Sequence, residues 1–93
     1  MIKQLTINTS RRNEFIDITP HVQDLVGEVS EGVVTVFVPH TTTGITINEN
    51  ADPDVPLDIL KKLEALIPQQ DNYSHMEGNS DAHIKASLFG SSI

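Results

Sequence analysis

Three histidines stand where the chain changes character, and imidazole both binds metal ions and titrates near neutral pH. His40 ends an apolar run in Pro39-His40-Thr41-Thr42-Thr43-Gly44, His75 lies in a polar stretch, and His83 opens a segment of alternating residues. Three protein ligands with an open fourth position make a catalytic zinc-type site, so His40, His75 and His83 are the candidate metal ligands. Two carboxylates accompany them. Glu49 suits a general acid or base. Asp81, two residues before His83, suits the carboxylate that orients a histidine ligand. Thr42 and Thr43 offer hydroxyls and amides to an anion. Each of these readings has a plainer counterpart. Spacing alone also fits histidines with solvent or backbone partners, Asp52 and Asp54 fit helix capping, and Asn79, Ser80 and Asp81 fit an ordinary turn. His21 is expected on a helix surface, away from the site.

The elements that must position these groups follow from periodicity. Residues 2–8 alternate around Ile2, Leu5 and Ile7, and residues 14–18 form a second short apolar run, so a hairpin is expected across Arg11-Arg12-Asn13. Thr19-Pro20 reads as a helix start with Thr19 as the N-cap, and Val22, Leu25, Val26 and Val29 make its buried stripe. Residues 33–38, Val-Val-Thr-Val-Phe-Val, are apolar on both faces and predict a central, covered strand. Residues 44–48 predict another. Asp52-Pro53 opens a second helix whose regular part runs from about Pro56 to Ile67, with Ile59, Leu60, Leu63, Leu66 and Ile67 on its core face. Residues 69–80 read as a polar loop. Residues 82–89 read as a strand, with Ala82, Ile84, Ala86 and Leu88 on one side and His83, Lys85 and Ser87 on the other.

The 93 residues fit one domain, 1–93. A chain this small buries only about two-thirds of its unfolded surface, and its last predicted strand has no evident neighbour after it, so self-association is expected to cover an open edge. With 13 acidic and 6 basic residues the net charge is −7, which disfavours nucleic acid as the partner. There is no cysteine, hence no disulfide or thiol chemistry. No apolar run approaches the ~18 residues of a membrane span, and no signal-peptide pattern opens the chain. A cytoplasmic location with no membrane partner is the expectation.

Two long strings carry a resemblance. His40-Thr-Thr-Thr-Gly-Ile-Thr-Ile-Asn-Glu-Asn-Ala-Asp-Pro-Asp54 and Tyr73-Ser-His-Met-Glu-Gly-Asn-Ser-Asp-Ala-His-Ile-Lys-Ala-Ser87 resemble the hallmark segments of the YjbQ family. The resemblance implies an α+β fold, mainly a β-sandwich with two helices packed on it, assembled as a homotrimer. Members of that family continue past the equivalent of Ile93 with further strands, so the domain is expected to be incomplete at its C-terminus. The family's usual name, secondary thiamine-phosphate synthase enzyme, implies a condensation that releases pyrophosphate. The polar positions that match add Asn48, Asn79 and Ser87 to Thr42 and Thr43 as candidate substrate-binding residues. The combined expectation is a metal-dependent enzyme, using zinc or magnesium, that acts on a small phosphorylated metabolite. Its rival is a non-catalytic module that binds an ion or small ligand at an oligomer interface.

Overall fold

The computed structural model describes residues 1–93 as two compact units, 1–34 and 35–93. It contains three helices, α1 (Thr19–Val26), α2 (Asp54–Leu66) and α3 (Ser80–Phe89). The one β-type pairing is an isolated antiparallel bridge between Phe37 and Ser92. The expected β-sandwich is therefore absent. The physical reason is pairing: an extended segment becomes a strand only when a neighbour takes its N–H and C=O groups. Residues 2–8, 14–18 and 44–48 have no such ladder.

In unit 1 the expected hairpin is replaced by a side-chain-closed bend. The Ser10 N–H and hydroxyl donate to the two Glu14 carboxylate oxygens at 2.7 and 3.0 Å. The Ser10 amide is the main cause of a Glu14 carboxyl held below its ordinary value. Helix α1 begins one residue earlier than an N-cap at Thr19 would require. Thr19 is its first residue, and the Thr19 N–H donates to Asp17 Oδ1 at 2.9 Å. Pro20 then costs nothing, because first-turn amides have no partner within the helix. At the other end Lys3 Nζ donates to the Leu25 carbonyl at 2.6 Å, placing a cation on the negative pole of the helix. Val22, Leu25 and Val26 are half-buried as the stripe requires, but Val29 lies beyond the helix and is exposed.

In unit 2, α2 matches its expectation with an earlier start. Asp52 Oδ1 accepts the Asp54 N–H at 2.9 Å, so Asp52 does act at the helix start. Pro56 falls in the first turn, where a missing N–H is harmless. Ile59, Leu60, Leu63 and Ile67 are half-buried, and Leu66 is exposed.

Residues 80–89 are a helix and not the expected strand. Ala82, Lys85, Ala86 and Leu88 are all good helix formers, and a helix satisfies its backbone without a neighbour. Gly90 stops α3 with φ 87° while its N–H returns to the Ala86 carbonyl at 2.9 Å, a backbone conformation that suits glycine. The chain after α3 then lies against two earlier segments. The Ile45 N–H donates to the Gly90 carbonyl at 3.0 Å, and Val36 and Val38 bond to Ile93 and Ser91. Gly44 fits only because it lacks a side chain, since a Cβ there would sit 2.8 Å from the Phe89 Cβ. Ile45, beside it, is the buried apolar residue of the chain. The expected covered strand 33–38 is not covered: Val33, Val34 and Phe37 are all exposed.

Candidate functional site

The two resembling strings meet through α3. Its C-terminal end packs on Gly44 and Ile45 of the first string, and its N-terminal end carries the polar groups of the second. The Asn79 carbonyl starts the helix by accepting the Ala82 and His83 N–H groups at 3.0 and 3.2 Å. His75, from the preceding loop, places its ring edge-on to His83, with centroids 5.5 Å apart and planes at 86°. His75, Ser80 and His83 line an open cleft of about 260 Å³. Glu77 Oε2 lies 3.6 Å from His75 Nε2 at the exposed side.

Asp81 does not orient His83. In a strand, residues two apart share a face; in a helix they point about 200° apart. Asp81 instead shares a face with Lys85, whose Nζ lies 3.6 Å from Asp81 Oδ2 and donates to Glu64 Oε2 of α2 at 3.3 Å. Asp81 is only 1% exposed, so the Lys85 ammonium lies beside a carboxyl group that is removed from solvent. The Tyr73 hydroxyl donates to the Pro68 carbonyl at 2.7 Å. Desolvation first, then the carboxylates of Asp71, Asp81 and Glu64, raise that phenol above its ordinary value.

Of the sequence-derived site residues, His75 and His83 come together. His40 is exposed and is not among the residues lining the cleft. Glu49 and Asn48 are exposed, and the Glu49 N–H donates to Asn48 Oδ1 at 2.7 Å. Thr42 and Thr43 are exposed too. The Ser87 hydroxyl donates to the His83 carbonyl one turn back, at 2.8 Å, and so serves the helix. Asn79 borders the cleft residue Ser80 in sequence, and its side-chain oxygen is buried without a hydrogen-bond partner. Ser80, a turn residue by sequence, lines the cleft, and Lys85, on the expected polar side of residues 82–89, pairs with Asp81. The Asp81–Lys85 spacing of four was the available signal for Lys85.

No group of three or more histidine, aspartate or glutamate side chains is arranged to hold a metal ion. The cleft offers two imidazoles, one fewer than the three protein ligands of a catalytic zinc site. Of the expected His40–His75–His83 set, the cleft holds His75 and His83 and not His40. No helix is long and apolar enough to cross a membrane.

The family model described as UPF0047 protein YjbQ-like matches residues 3–93. A UPF0047 protein of Methanocaldococcus jannaschii is 52% identical over 94 residues, covering 99% of this chain and 68% of that protein. The UPF0047 protein YugU of Bacillus subtilis is 46% identical, with 99% and 72% covered. The crystal structure of an uncharacterised conserved YjbQ/UPF0047-family protein from Clostridium acetobutylicum is 58% identical and superposes with a TM-score of 0.89, covering 94% of this chain and 69% of that one. None of these names carries an activity, so the thiamine-phosphate synthase reading has no support from the relatives. The match over nearly the whole sequence is specific, and the chain belongs to the YjbQ-like UPF0047 family.

Proposed function

We propose that the chain contributes the phosphate-holding part of an enzyme that acts on a small phosphorylated metabolite, with the phosphate seated between His75 and His83. The observation that carries this reading is the edge-on imidazole pair lining one cleft with Ser80. Two imidazoles can donate to phosphate oxygens, and a protonated one can offset negative charge and supply a proton to a leaving oxygen. The start of α3 adds the Ser80 hydroxyl and the positive end of a ten-residue helix. These groups act by binding, orienting and holding a proton. No step is assigned to a metal ion.

The test is a titration with inorganic phosphate and with pyrophosphate, followed by the NMR signals of the histidine rings. Both ligands should move His75 and His83 together and leave His21 and His40 in place. His75→Gln and His83→Gln should each weaken binding roughly 10–100-fold, the worth of one or two charge-assisted hydrogen bonds. Unchanged affinity in both variants would remove the site. Binding without turnover of any phosphate ester would leave a binding module in place of an enzyme.

We also propose that the working form is a homo-oligomer, a trimer on the family resemblance. The exposure of Leu57, Leu66 and Leu88 supports association. A monomeric mass by light scattering at micromolar concentration would contradict it.

A further inference from the structure

Of the six lysine and arginine side chains, Lys85 is the one that is not exposed. Only 11% of its side chain meets solvent. A lysine is rarely hidden unless it is paired, and Lys85 has ion-pair partners on two helices, Asp81 Oδ2 at 3.6 Å and Glu64 Oε2 at 3.3 Å. Asp81 is the acidic residue in the first turn of α3. It is next in sequence to Ser80, which lines the cleft with His75 and His83. A carboxylate there works against an anion in the cleft. It competes for the positive end of the helix, and like charges repel more strongly away from solvent than in water. Lys85 is not among the residues lining the cleft. It stands two residues from His83, about 200° around the helix axis. Its ammonium therefore acts on Asp81, one turn earlier, and not on the contents of the cleft.

We infer, on the phosphate reading of the cleft given above, that Lys85 is a positioning residue that sets the anion preference of the site by offsetting the Asp81 carboxylate beside it. The chain carries a net charge of −7, so an anion approaches against the field of the whole molecule and local neutralisation counts for more. Asp81 and Lys85 are both largely removed from solvent, so salt screens their balance little. Glu64, on α2 and half exposed, steadies the ammonium from the far side. Removing Lys85 uncovers negative charge next to the ligand oxygens. Removing the Asp81 charge leaves the ammonium as surplus positive charge. The two substitutions therefore move anion affinity in opposite directions, whereas a pair that served only to hold α3 on α2 would lose affinity from either side. Pyrophosphate, with more charge than phosphate, depends on the balance more.

The experiment titrates the full chain with inorganic phosphate and with pyrophosphate in a calorimeter, at one pH and one ionic strength. Lys85→Met should weaken pyrophosphate binding by about tenfold or more, and phosphate binding by less. Asp81→Asn should tighten both. The double variant Asp81→Asn/Lys85→Met should return close to the unsubstituted chain, and Lys85→Arg, which keeps the charge, should stay close to it. If Lys85→Met fails to fold, Asp81→Asn and the double variant decide, because neither leaves Asp81 charged without its ammonium. The inference is overturned if the two single variants weaken binding alike, or if Lys85→Met leaves both affinities unchanged. Loss of affinity in His75→Gln with none in Lys85→Met would keep the phosphate site and remove this role for Lys85. No binding of either anion by the unsubstituted chain would overturn the phosphate reading, and the role of Lys85 with it.

Discussion

Helix α3 and the segment Thr35–Val38 adjoin the same few residues, yet they solve the backbone problem in opposite ways. Residues 80–89 close their backbone hydrogen bonds within one helix and end on Gly90. Residues 35–38 stay extended, draw on residues 91–93 along one edge, and leave the other edge empty. The difference teaches where each region's structure is encoded. A helix is specified by the residues in it; a strand is specified jointly with a partner. It also explains why the candidate site stands on α3. The His75–His83 cleft needs a fixed support, and α3, packed on Gly44 and Ile45 and tied to α2 through Lys85 and Glu64, supplies one.

Proline should separate the two regions most sharply. Ala86→Pro, inside α3, removes an N–H from the ladder and clashes with the preceding turn, at a cost of about 3 kcal/mol or more. Thermal melting should show a large loss, and the paired shifts of His75 and His83 should collapse with it. Asp81→Asn should come next. It removes the buried charge that faces Lys85, and breaking a buried pair costs up to about 3–5 kcal/mol. Because Glu64 still holds the ammonium at 3.3 Å, the low end of that range is expected, measured by denaturant unfolding. Phe37→Pro should be smallest, within about 0.5 kcal/mol, because the lost N–H faces the empty edge. A Phe37→Pro loss as large as that of Ala86→Pro would break the comparison.

Much of α2 was legible, because Ile59, Leu60, Leu63 and Ile67 recur at helical spacing and Asp52 marks the start. Residues 82–89 were not, for a specific reason. Ala82, Ile84, Ala86 and Leu88 alternate as a strand would, and alternation outweighed the helix-forming character of Ala, Lys and Leu. Ile84, on the expected apolar side, is 40% exposed. Read as a strand, the segment sets Asp81 beside His83, whereas helical geometry gives Asp81 to Lys85. Residues 33–38 were legible as extended but not as unpaired, since pairing depends on a neighbour that local pattern does not describe. His75 and His83 were legible as site residues by type. Their pairing without His40 depended on the path of the loop before Ser80.

Amide hydrogen exchange on the chain alone tests the contrast most directly. The account predicts slow exchange through the interior of α3, intermediate exchange at Val36 and Val38, and near-unprotected exchange at Thr35 and Phe37. A flat profile across 35–38, or an α3 that exchanges as fast as Thr35, would contradict it.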